Sequence, residues 1–307
     1  MPELVTSGWL TIDDVVLPDG SYTQKVLGGG ALYSAVGAAI WNEDVGVHSV
    51  TGKKYLAAAK REIGRAGLDA AGLNGIVGNG LELWLLHESE SEKQQVPKLT
   101  SSTADEMDQG RAELPEPYLR ARGFHIAPQT PDGSFPTLKV LAAIANRPVI
   151  TLDILVDPYV DVSRYADLGF LEKVTAFLPS REEVARLWRP ASLTEWLRTN
   201  TDRHGRILAI KMGSEGSLVC AGKDAPIHRV PALPVSARDT TGAGDAFCGG
   251  FLAGLVEHRP VPECAAMATV SASYVVEARG ALATVFPDPK ERGERLKQVL
   301  KRISIHG

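Results

Sequence analysis

The residues best placed to do chemistry form one run, Arg238-Asp239-Thr240-Thr241-Gly242-Ala243-Gly244-Asp245-Ala246-Phe247. A loop with prolines at 226, 231 and 234 precedes it, and small apolar residues at helical spacing follow it, from Ala246 to Leu255. The spacing predicts a glycine-rich turn that opens a helix. Gly242 and Gly244 let the backbone pass close to a bound group. The first N–H groups of a helix have no partner inside it and sit at the positive end of its dipole, so the N–H groups of Gly242, Ala243 and Gly244 suit an anion such as a phosphate. Asp245 stands next to that turn. A carboxylate beside an anion-holding turn fits phosphoryl transfer, in which the turn holds developing charge and the carboxylate takes a hydroxyl proton. The plainer alternative makes Thr241 an N-cap and Asp245 a first-turn acid.

The rest of the chain must position this run. Hydrophobic residues make up 44% of the 307, enough for a large core. The net charge of -4, with no Lys/Arg block, argues against nucleic acid as a partner. No apolar run reaches the length of a membrane span, and Met1-Pro2-Glu3-Leu4 does not open like a signal peptide, so the expectation is a cytoplasmic protein. Cys220, Cys248 and Cys264 form no CxxC pair and read as buried thiols. No His-Glu-x-x-His occurs. Thr51-Gly52-Lys53-Lys54 looks like the end of a P-loop, but the first glycine falls at 46, one place too early.

Strand signals fall at 3–10, 45–50, 73–77, 123–127, 149–155, 174–178 and 206–211. Helix signals fall at 31–41, 53–66, 135–146, 168–173, 181–188 and 192–199. Strand followed by helix, repeated, predicts a Rossmann-like, mostly parallel sheet flanked by helices on both faces. Two hairpin-like segments, 11–27 and 81–95, fall outside the pattern and predict a small antiparallel β lid. The polar stretch 87–93 reads as a solvated hairpin tip, and 98–117 as loop. With no linker or repeat, residues 1–307 read as one domain.

The signature run resembles that of the PfkB (ribokinase-like) carbohydrate kinases, and the likeness extends over nearly the whole chain, weakest between 90 and 135. It implies an ATP-dependent kinase needing Mg²⁺ and acting on a sugar-like small molecule. Asp245 would be the base, with Gly242, Ala243 and Gly244 as the anion hole. Gly8-Trp9-Leu10-Thr11-Ile12-Asp13 makes Asp13 the sugar-hydroxyl ligand, and Gly29 and Gly30 open the family's second substrate motif. Tyr33 stands where the family has Asn. It would narrow the pocket, stack on the substrate, or turn into the core or lid. Ser180-Arg181-Glu182-Glu183 resembles Asn-x-x-Glu, which gives Glu183 a water-mediated Mg²⁺ role. Lys211, Gly213 and Gly216 match the nucleotide-binding turn. The resemblance further implies a K⁺ site from the Asp239 carboxylate, the carbonyls of Thr241, Val275, Ala278 and Gly280, and the Thr284 hydroxyl, and a homodimer through the lid. Sugar, nucleoside and cyclitol remain open as substrates. A catalytically quiet sensor is the reading from another class.

Overall fold

The computed structural model describes residues 1–88, 93–156 and 161–306. The tip of the second lid hairpin, 89–92, lies outside the described residues. In chain order the elements are β1 Leu4–Ser7, β2 Thr11–Val16, β3 Tyr22–Gly28, α1 Gly30–Ala39, β4 Val45–Gly52, α2 Lys53–Arg65, β5 Leu73–Ile76, β6 Leu81–His87, β7 Lys93–Pro97, α3 Ala104–Gly110, β8 Gly123–Ile126 and α4 Pro131–Ala142. There follow β9 Val149–Leu152, β10 Ala176–Phe177, α5 Arg181–Trp188, α6 Leu193–His204, β11 Ile207–Lys211, β12 Ser217–Cys220, β13 Ile227–Val230, α7 Ala243–Val256, α8 Val261–Val276, α9 Pro289–Leu300 and β14 Ser304–Ile305.

The main sheet runs β14-β13-β12-β11-β10-β9-β8-β1-β4-β5. Pairing is parallel from β5 to β11 and antiparallel from β11 to β14. Its central strands are apolar on both sides because both sides are covered. In β11, Leu208 and Ile210 face a core shared with α4, α5 and α6, while Ala209 between them faces α7 and α8. The chain leaves β1 toward β4 on one side and returns to β8 on the other. In an open α/β sheet that reversal leaves a crevice at the carboxyl ends of the strands, where ligands bind.

The lid is a second sheet, β3-β2-β6-β7. Both expected hairpins form, β2 with β3 and β6 with β7, each antiparallel, and a parallel pair of β2 with β6 joins them. That register sets Thr11 opposite Leu81, Asp13 opposite Leu83 and Val15 opposite Leu85. Two local expectations fail. The stretch 98–117 contains α3, closed by a capping box in which Thr103 and Glu106 satisfy each other's backbone N–H. Its one buried side chain, Met107, gives too weak an apolar period to be read. Helix α4 starts at Pro131 rather than 135, because Thr130 caps it and proline fits a first helical position.

Helix α7 is buried along most of its length and touches α1 and α8 through glycines. A Cβ on Gly37 would overlap the Ala246 backbone, and one on Gly249 would overlap Ser34 O. Gly250 and Gly254 meet α8 at Ala268 and Cys264 in the same way. We expect Gly37→Ala to lose about 1–3 kcal/mol of stability through overpacking. Gly64→Ala, on an α2 face with nothing within 4 Å, should gain about 0.5–1 kcal/mol from helix propensity. Urea unfolding midpoints of the two variants check both.

Candidate active site

The signature run forms the turn into α7. The N-cap is Gly242, at φ 74°, a left-handed conformation that favours glycine; Thr241 does not cap. Thr241 instead donates its N–H to Asp239 Oδ1 at 2.8 Å, and the Arg238 N–H donates to Val276 O at 2.7 Å. The run is thereby tied to the end of α8. Ala243 N–H donates to Thr240 O at 3.3 Å, closing the turn. Asp245 lies in the first turn of α7.

The second glycine turn meets it there. Gly29, at φ 96°, packs on the backbone of Trp9 and Thr11, and a Cβ on Gly30 would stand 3.0 Å from Asp245 Oδ1. The starts of α1 and α7 thus lie side by side around one carboxylate. Asp13 sits in mid-strand, not in a turn, and is 3% exposed. Its Oδ2 accepts from Thr11 Oγ1 at 3.0 Å, and a Cβ on Gly28 would overlap it. Asp14 does a different job: it pairs with Lys98 at 2.6 Å and accepts the Lys25 N–H at 2.9 Å, holding the lid together.

Lys211 does not serve the Gly213–Gly216 turn that follows it. Its side chain runs under α7, where a Cβ on Gly244 would be 3.5 Å from Nζ, and ion-pairs with Asp153. The Cys248 thiol lies 3.7 Å from Nζ and 3.5 Å from Asp153 Oδ2. Burial alone would pull the Lys211 pKa down, but the charge of the paired Asp153 outweighs it and holds it well above its ordinary value. Burial likewise pushes the Cys248 thiol up, so it stays protonated. Glu183 closes a capping box with Ser180, accepting its N–H at 2.5 Å. Burial first, and the Asp153 charge second, push the Glu183 carboxyl up to about 8, against the pull of Lys211. Gly213 and Gly216 both have positive φ, and a Cβ on Gly216 would overlap Val230 O.

Around Asp239 the cation expectation meets a mixed set. Asp239 is buried, and the Thr284 hydroxyl is buried with no hydrogen-bond partner among the described residues. Val275 O already accepts the Ala278 N–H, and Gly280 O the Ala283 N–H. Helix α8 ends at Val276 with Glu277 as its cap, and Gly280, at φ 88°, leads instead into the 3₁₀ turn Ala281–Ala283.

Two groups escaped the sequence reading. Asp153 follows β9 directly, at the carboxyl end of a central strand, and that position was the signal that would have found it. His87 ends β6 on the lid face that carries Leu83 and Leu85; it is buried, with Nε2 3.9 Å from Asp239 Oδ1 and without a hydrogen-bond partner for that atom among the described residues. No sequence signal marks it. Two open clefts lie elsewhere. One of 690 Å³ runs along α3 and α4 past Asp108 and Arg111, and one of 670 Å³ lies outside the 277–287 loop. Neither is lined by Asp13, Asp245 or Glu183.

Among the described residues no helix is long and apolar enough to cross a membrane, and no group of three or more His, Cys, Asp or Glu could hold a metal by itself. The model of the pfkB family of carbohydrate kinases matches residues 6–288. A cytidine kinase of Thermococcus kodakarensis is 27% identical over 91% of this chain and 98% of its own. An ATP-dependent ribose-1-phosphate kinase of Halopiger xanaduensis is 30% identical over 80% of this chain and 79% of its own. The fold is that of an E. coli protein of ribokinase type solved with ATP and Mg²⁺, with a TM-score of 0.73 at 17% identity over 97% of this chain and all of the other.

The raised Glu183 pKa has a consequence for stability. A carboxyl held at about 8 in the fold against an ordinary 4.5 contributes stability in full below about pH 4.5 and loses it as pH rises through about 8. Wild-type urea midpoints should therefore fall across that window more steeply than those of Glu183→Gln. Parallel slopes for the two proteins would show that Glu183 ionises normally.

Proposed function

The chain belongs to the pfkB family of carbohydrate kinases, and on that footing we propose that it transfers the γ-phosphoryl group of ATP to a hydroxyl of a ribosyl compound, with a nucleoside as first candidate. The observation that carries the reading is the meeting of the two glycine turns at Asp245, with Gly30 against its Oδ1. Asp245 takes the proton of the acceptor hydroxyl as that oxygen attacks. The Gly242–Gly244 turn, at the positive end of α7, holds the charge that builds on the transferred group. Lys211, kept charged by Asp153, adds a positive charge beneath the same turn. Gly213 and Gly216 leave backbone free of side chains for the nucleotide.

Asp13 accepts hydrogen bonds from the acceptor's other hydroxyls. Leu83 and Leu85 share its face of the lid by register and offer an apolar surface to a base or similar ring. That surface, together with the cytidine and ribose-1-phosphate kinases among the relatives, supports a ribosyl acceptor over a simple hexose or a cyclitol. Exposed Trp84 and Val96 on the lid support pairing of two copies there.

Glu183 would hold Mg²⁺ through its water shell: burial and then the Asp153 charge disfavour its carboxylate, and a divalent cation there would relieve that repulsion and neutralise phosphate charge. A K⁺-like ion fits the buried Asp239 carboxylate and the unpartnered Thr284 hydroxyl.

A coupled ADP-release assay over nucleosides, ribose, ribose-1-phosphate, hexoses and cyclitols tests the substrate class. Turnover on cytidine or another nucleoside is expected, and exclusive use of hexoses or cyclitols contradicts it. Asp245→Asn should reduce kcat by roughly 10²–10⁴-fold while leaving ATP binding nearly intact. A variant that keeps most of its turnover removes the base from Asp245. Initial rates in K⁺ should exceed those in an equal concentration of a bulky organic cation, and equal rates dispose of the cation site.

A further inference from the structure

Tyr33 is the residue at which this chain departs from the family's substrate motif, and its place in the fold is specific. It lies four residues before Gly37 on α1, as Gly242 lies four residues before Ala246 at the start of α7. Gly37 rests on Ala246, so Tyr33 comes to rest on Gly242, one turn earlier along the same seam. A Cβ on Gly242 would fall inside the Tyr33 ring. The side chain is 4% exposed and packs in the cluster that holds Leu32, Val36 and Ala246. Ala281 and Leu282 of the 280 loop pack in the same cluster. Burial, and then the charges of Asp239, Asp13 and Asp245, hold the phenol well above its ordinary pKa, so it remains a neutral hydroxyl.

We propose that Tyr33 is a positioning residue for the anion turn: its ring fixes Gly242 in the left-handed conformation that starts α7. This rests on the turn being the one that holds the transferred phosphoryl group. The geometry sets the role apart from substrate contact. The Gly242 backbone at the helix start admits only glycine, both by its φ of 74° and by the ring that fills the space of a Cβ. A turn with one flexible glycine on each side of Ala243 has little of its own to hold it in one conformation. The ring supplies a wall on one side, and the Thr241-to-Asp239 hydrogen bond holds the approach on the other. Substrate oxygens would then meet Asp13, Gly29 and Gly30, while Tyr33 acts on rate through the turn.

The test uses Tyr33→Phe, Tyr33→Leu and Tyr33→Asn in the full chain. Amide hydrogen exchange over 238–247 needs no substrate. It should be faster by about tenfold or more in the Leu and Asn variants and close to wild type in Phe, which keeps the ring. With ATP and whichever acceptor the wild type uses, Leu and Asn should lower kcat on the order of 10–100-fold, with acceptor KM within about threefold. The order of preference among cytidine, ribose and ribose-1-phosphate should not change. Unchanged exchange in the turn for both Leu and Asn overturns the proposal. So does an Asn variant that keeps its kcat but alters KM and preference, which would make Tyr33 a substrate contact. Should neither variant fold, Tyr33→Met carries the test: exchange over 238–247 should again be faster than wild type, and exchange equal to wild type overturns the proposal. A wild type inactive on every acceptor removes the kinase reading, while the exchange result separately decides whether Tyr33 orders the turn.

Discussion

The contact on which the rest depends is the close approach of α1 to α7. Two helices with ordinary side chains at the seam stand 8–10 Å apart. Here Gly37 and Gly249 let backbone meet backbone, and the starts of both helices are drawn to the same point. One start carries Gly29 and Gly30, and the other carries Gly242, Gly244 and Asp245. Two helix dipoles therefore aim their positive ends at one small volume, and the carboxylate between them is held by packing rather than by a loop. A larger residue at Gly37 or Gly249 would part the two turns and open the site without touching any group that does chemistry.

Electrostatics beneath the turn follows from the same packing. Lys211, Asp153, Cys248 and Glu183 come from β11, the end of β9, α7 and α5, and meet where α7 covers the carboxyl ends of the sheet. A buried lysine without a partner would lose its proton. Asp153 keeps it charged, so the turn into α7 has a fixed cation below it. Burial, and then the same Asp153, make the Glu183 carboxylate unfavourable. The lid adds a third layer. Asp13 in the middle of β2 and His87 at the end of β6 both reach down to the floor, one beside Gly28 and the other within 3.9 Å of Asp239.

Much of this was readable from the chain. The alternation of apolar strands and amphipathic helices specified a parallel sheet, because only a sheet covered on both faces needs apolar residues at successive positions. The glycine turn that opens α7 was legible because glycine, glycine and aspartate at that spacing, followed by a small apolar helix, leave few other structures. The two hairpins showed through their period of two. Helix α3 did not show, since a single buried Met107 among polar residues gives no apolar face.

Tertiary structure alone decided which of these residues meet. Asp13 and Asp14 are adjacent and identical in type, yet a strand turns them to opposite faces, one toward Gly28 and one toward Lys98. Lys211 precedes a glycine turn in sequence, but its side chain leaves that turn for Asp153, 58 residues earlier. Tyr33 stands at a substrate-motif position by spacing, and the helix seam sets its ring on Gly242. Sequence specifies residue type, period and local turn, which depend on neighbours in the chain. The partner of a buried charge or ring depends on which faces are pressed together, and that is settled only when the helices pack.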